Sequence, residues 1–291
     1  MNATPPPTMS SRLAALTQRL GLGGRSARQL VERAAALRLP FEPLPAPQSS
    51  IWWESGSRLQ DLPELPRSAL SGPVQDDKAA AHAVLVKLVE RQQEEIARFD
   101  LRLIDGLAGG RDSDPTCASL EDYLAGLEQR QVRIISYKDF VKAISQPLPG
   151  FLGGKRIPLL QASWHGSRIF WNGEQHAEAF ANAIVYARRR EMEVSLPAEL
   201  TRYRISPDGL KALVDNYHML AMPVQAWSHP GFMGLLVDTG MPYARLSLAH
   251  SQSAHEFLML PRHHADAVAL GEGLLLAGAP DVSSYLSRLL D

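Results

Sequence analysis

The sequence predicts an α/β protein of the α+β kind: a helical N-terminal third with an extended Pro-rich connector, then a mixed-sheet core with flanking helices. Three observations carry that reading. Hydrophobic residues recur at three- and four-residue spacing through much of the chain up to Leu107. Seven prolines crowd residues 40–75, where regular elements cannot run far. From Gln131 onward, short β-branched and aromatic runs alternate with helical patterns. With 291 residues, 45% of them hydrophobic, the chain has material for one large core or two smaller ones.

In chain order, Pro5-Pro6-Pro7 imply an extended tail. Two amphipathic helices follow, over 10–22 and 26–39, with Arg12, Arg19, Arg25, Arg28 and Arg33 on polar positions. Pro40 stops the second, and a connector pinned by Trp52 and Trp53 leads on. Lys78 to Leu107 reads as one long helix with a solvated Glu-rich middle, closed by Gly109 and Gly110. A short helix is expected over 120–129. Beyond it come a strand at Val132–Ser136, a helix at Tyr137–Ile144, and strands at Ile157–Ala162 and Arg168–Trp171 around the turn His165-Gly166-Ser167. A strong helix is expected over 174–190, and extended segments at 194–196 and 200–205. Ser206-Pro207 opens a helix to about Met222, with proline at the first helical position. Strands at 232–237, 244–248 and 256–260 and helices at 263–276 and 281–290 complete the chain. The expected organisation is 1–75 as N-terminal helices and connector, 76–130 as a helical segment, and 131–291 as the α/β core.

Lys plus Arg number 30 against 31 Asp plus Glu, so the global electrostatic footprint of a nucleic-acid binder is absent, although a local patch can exist. The single cysteine, Cys117, cannot build a disulfide framework, which suits a reducing compartment. It sits after Asp112 and Asp114, which disfavour a thiolate nucleophile. With no secretory signal and no apolar run of membrane-spanning length, the expectation is a cytoplasmic protein without a membrane partner.

Chemistry concentrates between Trp164 and Arg190. There Trp164, His165 and Arg168 precede the turn Asn172-Gly173, and Glu174-Gln175-His176 opens a helix. Backbone N–H groups at a helix N-terminus favour an anion, and the helix dipole there keeps a histidine neutral. Trp164, His165, Arg168, Gly173, Arg188 and Arg189 are the expected binding residues, and His176 with Glu174 the candidate acid–base pair. Structural readings stand beside these: satisfied turn histidines, and an Arg188-Arg189-Arg190 run that complements a helix C-terminus.

The order strand, short helix, Pro-containing strand, turn, strand, Gly-Glu-x-His, helix resembles the core of the ParB/sulfiredoxin-like superfamily over residues 131–196. The matching segments are Val132–Ser136, Ile157-Pro158-Leu159-Leu160, Arg168–Trp171 and Gly173-Glu174-Gln175-His176, with Ala179 behind. One basic residue follows the glycine here, where that superfamily usually has two. The resemblance implies a phosphate held at the glycine-led turn, in a superfamily with binding and catalytic members alike.

His250, His255, Glu256, His263, His264 and Asp266 match no zinc spacing, so no metal is assigned, and the sequence names no cofactor. Asp238-Thr239-Gly240 reads as a hairpin turn. Three functional readings result: a binding or regulatory module for a phosphate-bearing ligand, nucleotide or nucleic acid; a nucleotide- or RNA-processing phosphoesterase using His176 and Glu174 or Glu178; and a homo-oligomeric assembly protein.

Overall fold

A computed structural model describes residues 25–46, 49–55, 58–108, 117–127, 132–238, 240–247 and 255–290. The helix expected over 10–22 and the closing Gly109-Gly110 lie outside them. In chain order the elements are α1 (Arg25–Ala35), β1 (Leu70–Ser71), α2 (Gln75–Leu85), β2 (Val89–Asp100), β3 (Gly106–Leu107), α3 (Leu120–Gly126), α4 (Tyr137–Ile144), β4 (Ile157–Ala162), β5 (Ile169–Trp171), α5 (Ala177–Arg189), β6 (Ser195–Ile205), α6 (Pro207–Asn216), β7 (Tyr217–Pro223), α7 (Pro230–Asp238), β8 (Ala244–Leu246), β9 (His255–Pro261), α8 (Ala265–Ala277) and α9 (Val282–Ser287). The architecture is α+β, with two sheets and flanking helices.

Two compact units share these elements. One takes in the described residues up to Leu44, then Leu62–Leu88, and the described residues from Ser206 onward. Its four-stranded antiparallel sheet runs β1-β8-β9-β7. Strand β7 is buried along its whole length, with α6, α8 and α9 against it. Helix α1 lies on α8 at very close range. A Cβ on Gly273 would stand 2.5 Å from that of Ala34 and 2.7 Å from the Val31 carbonyl oxygen. This accounts for Gly273 inside a helical pattern, while Gly271 makes room for His218, whose Cγ would lie 2.9 Å from a Cβ there. Gly273→Ala is expected to lower unfolding free energy by about 1 kcal/mol in urea denaturation. Overpacking of ~1–3 kcal/mol there exceeds the ~1 kcal/mol helix-propensity gain. A raised urea midpoint would show that α1 withdraws without cost.

The other unit holds the described residues of 45–61 and of 89–205. Its mixed five-stranded sheet has the order β2-β6-β4-β5-β3. β6 runs parallel to β4 and antiparallel to β2, and β5 is antiparallel to β4. Its core gathers Phe140, Leu159, Trp171, Phe180, Ile184 and Leu200.

Several elements differ from expectation. The helix over 78–107 stops at Leu85, and Val89–Asp100 is a strand paired with β6 along ten positions. Glu90 through Glu95 hold no apolar residue, so no helical face could be buried there. As an edge strand, β2 leaves both faces of that stretch in water and draws ladder hydrogen bonds from a partner a hundred residues on. Arg202 and Arg156 bind Glu94 and Glu95 across the sheet.

Residues 132–135 are not a strand. They lead into Ser136, which caps α4 in a capping box with Asp139, while β3 occupies the sheet edge beside β5. The strand expected over 232–237 is helix α7. Pro230 starts it, the His229 imidazole accepts from the Phe232 N–H at 3.2 Å, and Phe232, Leu235 and Leu236 are buried at helical spacing. The segments at 194–196 and 200–205 join into β6. The helix after Ser206 ends at Asn216, and β7 takes the residues up to Pro223. No helix among the described residues is long and apolar enough to cross a membrane.

Candidate functional site

The stretch from β4 to α5 is folded by local signals. Gly166, at φ 68°, turns the chain after a short 3-10 segment at Ser163–His165, and β5 returns antiparallel to β4. Trp164 and Phe170 are buried. The His165 ring lies 5.1 Å from that of Trp53 and 5.3 Å from that of Phe170, and Trp53 also meets Phe170 and Tyr203. Trp52 packs edge-on against Tyr123, so the Trp52-Trp53 pair pins the connector as its aromatic character suggests. Burial, with the Arg168 charge adding to it, pushes the His165 imidazole down to about 4, so it is neutral at physiological pH. Three polar atoms within five residues are buried without a hydrogen-bond partner among the described residues: Trp164 Nε1, His165 Nε2 and Arg168 Nη1. Such concentration is unusual, because buried polar groups are nearly always paired.

Arg168 and Arg188 both line one cleft of about 350 Å³, with Ser49, Asp105 and Ser119. Arg188, from the last turn of α5, is fully engaged. Its Nε donates to the Arg102 carbonyl at 2.9 Å, Nη2 to the Ile104 carbonyl at 2.7 Å, and Nη1 to both Glu121 carboxylate oxygens at 3.0 and 3.1 Å. Asp105 stands 3.8 Å from the same guanidinium and accepts the Ile169 N–H at 3.0 Å. Arg168 is held differently. Its Nη2 donates to the Asp105 and Ala118 carbonyls at 3.1 and 2.9 Å, and its guanidinium lies 5.8 Å from the Phe170 ring centre. No carboxylate among the described residues comes within salt-bridge distance of it. Arg188 is thus neutralised and rigid, while Arg168 is positioned by neutral carbonyls and makes no ion pair among the described residues.

The remaining expected residues fall elsewhere. Gly173 lines a second cavity, against Trp171. His176 is not in the first helical turn: it is the N-cap of α5, in the left-handed conformation at φ 58°, without a side-chain capping bond, and exposed. Glu174 is exposed in the preceding loop, and neither residue lines either cavity. Glu178 accepts the Val132 N–H at 3.3 Å. Arg189 is exposed. The dense stretch therefore divides among an aromatic cluster, an arginine cleft, a second cavity and a solvated helix start. Asp105, Ser49 and Ser119 escaped the sequence reading because nothing local marks them: Asp105 fell inside the expected long helix.

Cys117 is partly buried, and burial with the nearby Asp122 raises its thiol above the ordinary range, which fits a non-nucleophilic role. Of the histidine-rich stretch, His250 lies outside the described residues, and Glu256 forms a two-point ion pair with Arg245. Among the described residues no group of three or more His, Cys, Asp or Glu is placed to hold a metal ion. Thr239 also lies outside them, and Gly240 turns the chain at φ 57°.

A protein family described as a family of unknown function, DUF6685, matches residues 94–291. No curated protein and no solved structure matches the chain.

Proposed function

We propose, for a chain that belongs to the DUF6685 family of unknown function, that it is a cytoplasmic binding module for a small phosphate-bearing ligand such as a nucleotide, held at the Arg168–Arg188 cleft. The observation that carries this reading is Arg168. Its guanidinium borders the cleft, makes no ion pair among the described residues, and leaves a buried Nη1 without an acceptor. An unpaired buried donor costs about 1–3 kcal/mol, more when charged, and a phosphate oxygen relieves that cost. The planar guanidinium fork suits phosphate, and the two backbone carbonyls already hold it in place, so little entropy is lost on binding.

Arg188, locked by Glu121 and three carbonyl or carboxylate neighbours, supplies rigidity. The cleft volume lies at the small end of ligand sites. Together with the near-zero net charge, that favours a free nucleotide or sugar phosphate over a nucleic-acid strand.

Isothermal titration with AMP, GMP, ribose 5-phosphate and inorganic phosphate tests it. Arg168→Gln is expected to weaken the best of these at least about tenfold, the worth of roughly one charge-assisted bond, while the variant still unfolds in one cooperative thermal transition. Binding by Arg168→Gln equal to wild type, or no binding of any of the four to wild type, overturns the reading.

A further inference from the structure

The second cavity stands apart from the arginine cleft and is built differently. It has a volume of about 180 Å³ between the loop Pro147–Phe151 and the turn Trp171–Gly173. Its walls are apolar: Pro149, Phe151, Pro158 and Trp171. The loop is held by hydrogen bonds from Leu148 N–H to the Ile144 carbonyl at 3.0 Å and from Lys155 N–H to the Gly150 carbonyl at 3.1 Å. Phe151 packs edge-on against Phe140 of α4. On the opposite wall, Asn172 N–H donates to the Pro158 carbonyl at 2.9 Å, tying the turn to β4.

The indole of Trp171 is fixed on both sides. Phe180 stacks on it at 4.0 Å with the planes 12° apart. Gly173 covers its edge, where a Cβ would lie 1.9 Å from Cζ2 and 2.3 Å from Cε2. Only glycine at 173 leaves this edge in place. Trp171 is 2% exposed, and its Nε1–H has no acceptor among the described residues. A buried tryptophan N–H ordinarily finds a partner. At the rim, Arg156 is paired with Glu95. Lys155 is exposed, and none of the ion pairs among the described residues involves it.

The cations Lys155 and Arg156, the Trp171 N–H and the Asn172 amide, which both donates and accepts, stand around an apolar wall with no carboxylate in the lining, so a complementary ligand offers an acceptor and one negative charge on a compact apolar body. A dry cavity of about 150 Å³ is enough for benzene, so 180 Å³ accommodates one ring. We infer that this cavity is a second binding site, for a small aromatic or cyclic monocarboxylate, with the ring against Trp171 and Phe151, an acceptor for the indole N–H, and the carboxylate facing Lys155. A dianion would leave its second charge uncompensated against the proline wall.

The test uses the full chain labelled with ¹⁵N. Its five tryptophans give separate indole N–H signals, and Trp171→Phe identifies that of Trp171. Titration with benzoate is expected to move the Trp171 signal saturably, with a dissociation constant of about 1 mM or below, while benzamide moves it less and inorganic phosphate leaves it still. Lys155→Ala, at an exposed position, is expected to weaken benzoate about three- to fivefold, the range of a rim ion pair. Arg168→Gln is expected to leave benzoate binding unchanged, which separates this site from the arginine cleft. A Trp171 signal that does not respond to benzoate, or equal benzoate affinity in Lys155→Ala and wild type, overturns the inference.

Discussion

Replacing Arg188 with leucine is expected to lower the unfolding free energy by about 2–4 kcal/mol. Arg188 joins α5 to the carbonyls of Arg102 and Ile104 and to the carboxylate of Glu121 on α3. Hydrogen bonds from a charged group contribute about 1.5–3 kcal/mol each, and stripping a partner from a buried ion pair costs about 3–5 kcal/mol. The Arg188 side chain is 26% exposed, so water recovers part of that, and the lower range applies. Leucine leaves two carbonyls and a carboxylate without their donor. Lysine rescues little, because a single ammonium cannot serve three divergent acceptors. Urea denaturation of Arg188→Leu, Arg188→Lys and Glu121→Gln reads the effect. A loss below about 1 kcal/mol for Arg188→Leu, the size of an exposed surface pair, contradicts the assignment.

Acidification is expected to destabilise the protein well before its carboxylates protonate. Burial depresses two imidazoles, His165 in the sheet unit with β4–β6 and His218 on β7 in the other, each to about 4 in the folded chain. Arg168 adds to the first shift. Arg262 adds to the second, and Asp281 partly opposes it. With His218 neutral, its 3.6 Å approach to Glu272 is a polar contact and not an ion pair.

Both folded values lie below the unfolded value of 6.5. Above pH 6.5 neither state is protonated, and the groups have no effect on stability. Between 6.5 and 4 the unfolded chain takes up protons that the folded chain refuses. Stability then falls by about 1.4 kcal/mol per pH unit for each histidine. Asp100 and Asp139, whose folded values are lowered, stabilise above the ordinary carboxylate range and lose that contribution only at lower pH. Urea midpoints at pH 7.5 and 5.0 should therefore differ strongly in wild type. The difference should shrink in His165→Phe, which suits its aromatic neighbours, and in His218→Gln. An unchanged pH slope in both variants refutes the account.

How much of this was legible beforehand varied with the range of the signal. The helix expected over Tyr137–Ile144 has those bounds, and the helix that Ser206-Pro207 announces begins there. The apolar run Ile157–Ala162 became a strand with those bounds. By contrast, Val89–Asp100 holds no apolar residue from Glu90 through Glu95 and so carries no clear period of either kind, and only its pairing with Ser195–Ile205 settles the matter. The short apolar run after Pro230 likewise became a helix because three of its side chains reach a core assembled from β7, β9 and α8.

The candidate site shows the same division. Sequence alone identified Trp164–Arg190 as the place where polar chemistry gathers, and it named Arg168, Arg188, Gly173 and His165, because residue types and turn signals are local properties. The tertiary structure alone decided which of them act together. It set Arg168 beside Arg188 through Asp105, Glu121 and the Ala118 carbonyl, gave Gly173 to the Trp171 cavity, and left His176 and Glu174 in water. The partners of the two guanidiniums lie 50 to 86 residues away in the chain, and the burial that shifts the His165 imidazole rests in part on Trp53 from the connector, which no local pattern encodes.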